Sequence, residues 1–280
     1  MSLIPSHYFQ TVVSIGIFDD NKNTKWIGTG FFVGRVVSEN RYKPFLITNK
    51  HVIQDQDIIV IRMVEKNTKK IKLFEITLDQ NSSEITYHPN DNVDIAAITI
   101  NGSAIMSENL EFSCFDIDTA AYSSKELRNN GFNEGNLIYM LGYPMGLVNV
   151  DSNQPICRMG CVARIDEKQI NRSSNVLLDV QNFPGNSGSP VISKPEIISI
   201  EGTKHLERSV LIGIIHSYIP YRETLLNTQT KEIVEIRSEN SGIANMHPVE
   251  LIRDVIDIVF PLKKDISQED NGSKEVNANE

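Results

Sequence analysis

Short apolar runs rich in β-branched residues, separated by polar clusters, recur along the first hundred positions, at 11–18, 26–33, 42–48, 57–64, 71–78, 85–88 and 93–100. Runs of this length, closely spaced and with little helical periodicity between them, predict the antiparallel strands of an all-β barrel or sandwich. Asn101-Gly102 marks a turn. Beyond it the pattern is mixed, with a short helix predicted over 119–128 and a polar, glycine-containing connector over 129–135. A second strand series is predicted at 137–142, 156–165, 176–180, 190–193, 210–216 and 242–246. Two stretches that interrupt it, 194–209 and 219–241, exceed hairpin length and are expected to be functional loops. The clearest helix is 248–260. Pro248 suits its first position, Glu250 its positive end, and Val249, Ile252, Val255, Ile256 and Val259 form one apolar stripe expected to pack in the core. These elements predict two β units, 8–130 and 131–262, followed by a polar, acidic and disordered tail over 264–280.

Composition narrows the function. The 280 residues carry a net charge of −9. The most basic run, 65–72, reads as a solvated hairpin turn, so nucleic acid is not an expected partner. No apolar run approaches the 18 residues of a membrane span, and the first residues lack a basic leader pattern; a cytoplasmic protein without a membrane partner is expected. Cys114, Cys157 and Cys161 cannot all pair. Cys157 and Cys161 lie four apart in one predicted strand and cannot bridge without bending it. No Cys/His cluster offers a zinc site, so buried free thiols are expected, with neither metal nor cofactor.

Candidate chemistry centres on residues 181–193, QNFPGNSGSPVIS. Ser187 has Gly188 after it and Gly185 two residues before, so little bulk crowds its hydroxyl. The amides around it, those of Gly185, Asn186 and Ser187, can form a nest whose Gly185 and Ser187 donors aim at a developing oxyanion. Taken alone, the stretch also fits a plain turn. His51 stands at the end of one apolar strand and Asp94 at the mouth of another. A carboxylate there can accept the imidazole Nδ1 proton and stabilise the imidazolium.

Together these stretches resemble the trypsin-like, chymotrypsin-fold serine peptidases. Gly28-Thr29-Gly30-Phe31 with Leu46–Val52 is similar to that family's histidine motif, Asp94-Ile95-Ala96 to its aspartate motif, and Gly185–Pro190 to its serine motif. Asp94 follows His51 by 43 residues and Ser187 follows Asp94 by 93, close to the family's habit. Leu141–Gly146 resembles the start of the second barrel in bacterial, disulfide-free members. The resemblance implies two six-stranded antiparallel barrels with a C-terminal helix. It also implies a catalytic His51, Asp94 and Ser187 acting on protein or peptide substrates.

Departures from the family carry expectations of their own. Asn186 stands where zymogen-type members have an aspartate, which implies a peptidase not switched on by a freed N-terminus; restricted specificity or a regulatory protein partner would then limit it. Gln181 stands where Arg/Lys-specific members carry an acid, so a basic P1 residue is disfavoured. Asn182 and Phe183 follow it on the expected substrate-binding wall. His216, Ser217 and Tyr218 lie on the strand expected to pair with substrate, with Tyr218 narrowing the S1 pocket. Some glutamate-specific relatives carry a histidine on this strand, but His216 falls one residue later, and a one-residue shift reverses the face. A structural or triad-supporting His216 is therefore the better expectation. The alternative function is a protease-fold module that binds extended peptides by strand addition with little turnover.

Overall fold

The computed structural model describes residues 3–38, 41–79, 82–196 and 202–262; the tail expected over 264–280 and part of the 194–209 stretch lie outside them. The strands are β1 (Val12–Phe18), β2 (Thr24–Ser38), β3 (Arg41–Thr48), β4 (Ile58–Val64), β5 (Ile71–Thr77), β6 (Ile85–Tyr87), β7 (Ala96–Thr99), β8 (Phe115–Asp116), β9 (Leu137–Gly142), β10 (Ile156–Arg164), β11 (Val176–Asp179), β12 (Pro190–Ser193), β13 (Leu211–Leu226) and β14 (Ile233–Pro248). Between them lie short helices α1 (Ser6–Phe9), α2 (Lys50–Ile53), α3 (Gly102–Ser107), α4 (Ser124–Asn129) and α5 (Glu167–Ser173), and α6 (Val249–Val259) closes the described chain.

The first seven strands form a curled sheet in the order β5-β4-β1-β2-β3-β7-β6, with β8 pairing β2 in parallel. The later strands close into a barrel, β10-β11-β14-β13-β12-β9. Alternating apolar residues fill each interior: Val13, Ile15, Phe32, Leu46 and Ile61 in the first, and Ile138, Met140, Leu178, Val191 and Met246 in the second. A third apolar cluster lies between the two units. In it Phe31, Phe45 and Ile47 from one side meet Tyr139, Leu141 and Ile192 from the other. The α6 stripe of Val249, Ile252, Val255 and Ile256 packs against this seam, as its spacing predicts.

Three expectations change. The 219–241 stretch is not a loop: β13 and β14 continue as a two-stranded arm whose register runs from Pro220↔Asn240 to Leu226↔Ile233. With no second layer to cover, its residues are largely exposed and mix charged and apolar types without a regular alternation, so the sequence does not show the usual strand pattern. The cysteines are free, but Cys157 is exposed and Cys114 and Cys161 are half-buried. The β10 stretch that carries Cys157 and Cys161 is largely exposed, only Val162 being fully buried. Finally, α5 was not expected, although Asp166 caps it by accepting from the Gln169 N–H at 2.9 Å; Asp followed three residues later by Gln is a legible helix start.

A buried charge fastens α6 to the first unit. Arg35 of β2 is 1% exposed. Its Nε lies 3.3 Å from Asp118, and its Nη1 pairs with Asp257 of α6 and donates to the Phe260 carbonyl at 2.8 Å. Removing one partner of a buried ion pair strands the others. Arg35→Leu is expected to lower unfolding free energy by about 3 kcal/mol, the low end for a buried pair because Asp257 is half-exposed. Urea unfolding checks this; an unchanged midpoint would contradict it.

Candidate active site

β3 ends at Thr48, and the chain turns at Asn49 into α2, whose second residue is His51. The Asn49 side chain donates to the Asp94 carbonyl at 2.7 Å, joining this turn to the segment that leads into β7. His51 meets Asp94 twice. Its backbone N–H donates to Oδ1 at 3.0 Å, and its Nδ1 lies 2.5 Å from Oδ2. Burial alone would raise the Asp94 pKa, but these hydrogen bonds, with smaller charge contributions from His51 and His216, outweigh it and hold the carboxyl below the ordinary aspartate value. Asp94 therefore stays ionised and fixes His51 as the Nδ1–H tautomer, leaving Nε2 as a base.

Ser187 comes from the other unit, in the turn before β12. Gly28 joins the two sides: a Cβ there would lie 2.8 Å from Val52, the residue after His51, and 3.4 Å from the Ser187 carbonyl. The Ser187 hydroxyl has no hydrogen-bond partner among the described residues, His51 included. In unliganded sites such contacts commonly tighten only with substrate.

The turn that carries Ser187 is held by its carbonyls. The Pro184 carbonyl accepts from the Met145 N–H at 2.5 Å, that of Gly185 from the Thr29 hydroxyl at 2.7 Å, that of Asn186 from the Ser189 N–H at 2.9 Å and that of Ser187 from the Thr29 N–H at 2.8 Å. In a trans peptide the N–H points opposite to the preceding carbonyl. Pinning Pro184 and Asn186 thus frees the Gly185 and Ser187 amides, neither of which has a partner among the described residues. Gly185 adopts φ +94°, and a Cβ there would fall 2.5 Å from the Tyr143 carbonyl. Asn186 corrects the expected trio of oxyanion donors: its amide is spent on the Phe183 carbonyl at 3.0 Å. Its fully buried side-chain amide has no hydrogen-bond partner among the described residues.

Two histidines lie beneath Asp94. His216 and His247 stack with ring centroids 3.9 Å apart and planes 7° from parallel. His247 Nε2 accepts from the Asp94 backbone N–H at 3.0 Å, and its Nδ1 donates to the Ser174 carbonyl at 2.8 Å. With one nitrogen required as acceptor and the other as donor, His247 is neutral. His216 Nε2 lies 2.9 Å from Asn175 Oδ1. Burial is the main cause that pushes the His216 pKa down to about 3, with His247 adding to it, and burial also lowers that of His247. His216 thus reaches Asp94 only through the stacked His247, which makes the hydrogen bond. His247 and the residues after α5 were missed, because a lone histidine before a proline carries no motif.

This pair links stability to pH. The unfolded chain takes up these protons near pH 6.5, the folded protein only near pH 3 for His216. Between those limits the unfolded state binds more protons, so stability falls as pH falls, by about 1.4 kcal/mol per unit per fully titrating histidine. Urea unfolding at pH 7 and pH 5 is expected to show this loss, and His216→Gln to reduce it. An equal slope in the variant would contradict it.

On the expected substrate-binding wall, Asn182 is buried and donates from Nδ2 to the Ser217 carbonyl at 3.0 Å. Asn245 donates to the Ser217 hydroxyl at 3.0 Å, and Asn240 bonds the Asn182 carbonyl. Arg158 stands 5.3 Å over the half-buried Phe183 ring. Tyr218 is half-buried. Gln181 is exposed, its Nε2 3.6 Å from where a Gly242 Cβ would lie. The structure thus gathers Asn182, Ser217 and the start of the arm, and leaves Gln181 at the rim. No group of acidic, Cys and His side chains suited to a metal occurs among the described residues.

The closed second barrel, the first sheet and the C-terminal helix define the chymotrypsin-like two-barrel fold. The chain belongs to the trypsin-like peptidase domain family, whose model matches residues 28–196, more than half of it. Among solved structures, HBP in its atomic-resolution form is 15% identical over 93% of this chain and 95% of its own, with a TM-score of 0.50. A mutant of human heparin binding protein is 15% identical over 90% and 92%, TM-score 0.48. The apo protease domain of MamO from Magnetospirillum magneticum is 16% identical over 89% and 96%, TM-score 0.44. At such identities the likeness concerns fold alone. Among curated proteins nothing matches.

Proposed function

We propose that the protein is a serine endopeptidase in which Ser187 attacks the scissile carbonyl of a protein substrate. His51 Nε2 takes the hydroxyl proton and later gives it to the leaving amine; Asp94 stabilises the imidazolium. The Gly185 and Ser187 amides receive the oxyanion, and water then hydrolyses the acyl-enzyme by the same route in reverse. The observation that carries this reading is the pair of unpartnered amides beside Ser187, together with a His51 oriented at both backbone and ring by one ionised carboxylate.

Substrate would lie extended along the free edge of β13 at His216–Tyr218, past the point where β12 stops pairing. The wall formed by Gln181, Asn182, Phe183 and Ser217 presents amides and a hydroxyl, with no carboxylate to receive a cation. A neutral P1 side chain is therefore the proposed preference. Cleavage profiling on a proteome-derived peptide library tests both points: defined cuts after neutral residues support them, and predominant cutting after Lys or Arg would refute the specificity. The second reading, peptide binding without turnover, draws on the unmade Ser187–His51 hydrogen bond. It predicts that the library is bound and left intact.

A further inference from the structure

The nucleophile turn lacks the ion pair that an acidic residue at position 186 could form, yet its four carbonyls are all held. Two are held by one residue of the other unit. Thr29, in β2, is wholly buried. Its N–H donates to the Ser187 carbonyl at 2.8 Å, and its hydroxyl donates to the Gly185 carbonyl at 2.7 Å. The same hydroxyl accepts from the Tyr143 N–H at 3.1 Å, just before the turn whose Met145 N–H holds the Pro184 carbonyl. Thr29 is itself fixed, its carbonyl accepting from the Thr48 hydroxyl at 2.8 Å. Gly188 packs against that carbonyl, where a Cβ would come within 1.9 Å. The Thr29 hydroxyl thus holds the Gly185–Asn186 peptide, which lies between the two peptides that present the oxyanion donors, and its single proton is committed to Gly185 because Tyr143 supplies the other.

We infer that the Thr29 hydroxyl is the latch of the oxyanion hole, a positioning residue that holds the Gly185 and Ser187 amides toward the cleft where an N-terminal ion pair is absent. The inference rests on the peptidase reading and goes beyond it by assigning the control of the hole to the first unit. With the hydroxyl gone, the Gly185 carbonyl loses its donor and the Gly185–Asn186 peptide can turn, carrying the flanking amides off line. Misplacing oxyanion donors costs on the order of 10²-fold in kcat. The ground-state contacts of substrate with β13 are untouched.

The test compares Thr29→Val, which keeps the shape and removes the hydroxyl, with Thr29→Ser, which keeps the hydroxyl. Steady-state kinetics on a cleaved peptide should show kcat down about 30- to 300-fold in T29V with KM within about threefold, and T29S close to the parent. If T29V does not fold, T29A carries the same expectation. Parent-like kcat in folded T29V overturns the latch, as does an equal loss in T29S. A backbone amide readout separates this from the peptidase reading. The ¹H–¹⁵N resonances of Gly185 and Ser187 should move in T29V and stay in T29S; unchanged positions in T29V overturn the latch whether or not the parent turns over. A parent that neither cleaves peptides nor reacts at Ser187 overturns the peptidase reading and leaves the amide result to decide the latch.

Discussion

Ser187→Ala is expected to lower kcat by roughly 10⁶-fold, as removal of the nucleophile does in other triad enzymes. The size of the loss follows from the division of labour in the cleft. His51 is oriented only to receive a proton from the attacking group, and alanine offers none. What remains is the oxyanion nest, which can polarise a carbonyl for attack by water but cannot form the acyl-enzyme. The substitution removes one oxygen from a half-buried position that makes no hydrogen bond among the described residues, so fold and peptide binding should persist. Turnover comparable to the parent would remove Ser187 from the mechanism.

Asp94→Asn should cost roughly 10⁴-fold, by the tautomer argument known for such triads, and here the geometry says why. The His51 backbone N–H donates to Asp94 Oδ1, and His51 Nδ1 faces Oδ2. An asparagine would keep its carbonyl oxygen on the backbone N–H and turn its NH₂ toward the ring. His51 Nδ1 must then accept, and the proton moves to Nε2, where the base is needed. The Asp94 backbone N–H, held by His247, keeps the segment in place, so stability should change little. The expected result is a loss in kcat with little change in KM and an unchanged melting temperature. A variant within tenfold of the parent would show that His51 is not held by this carboxylate.

The C-terminal helix, most strands and the stretches that carry the candidate site were legible because each leaves a local pattern. β1 and β9 are rich in apolar residues, α6 has a stripe at helical spacing, and Ser187 is flanked by glycines that suit a nest as well as a turn. What was illegible depends on contacts distant in sequence. Arg35 reads as a polar break in an apolar strand until Asp118 and Asp257 arrive from positions far along the chain. Thr29 lies within a Gly-Thr-Gly motif, but its partner Gly185 is 156 residues away. His247 acquires its role only because the residues after α5 orient it from the other side. The arm of β13 and β14 was hidden for the opposite reason: with no core to face, its strands carry no alternation.

The proposed function requires Ser187 to be an activated nucleophile. A fluorophosphonate reacts with such a serine and ignores ordinary hydroxyls, so intact mass and peptide mapping after incubation read this directly. The prediction is a single adduct on Ser187, absent in the His51→Ala protein, where no base activates the hydroxyl. No adduct on the parent at any pH between 6 and 9, or an adduct elsewhere on the chain, would contradict it.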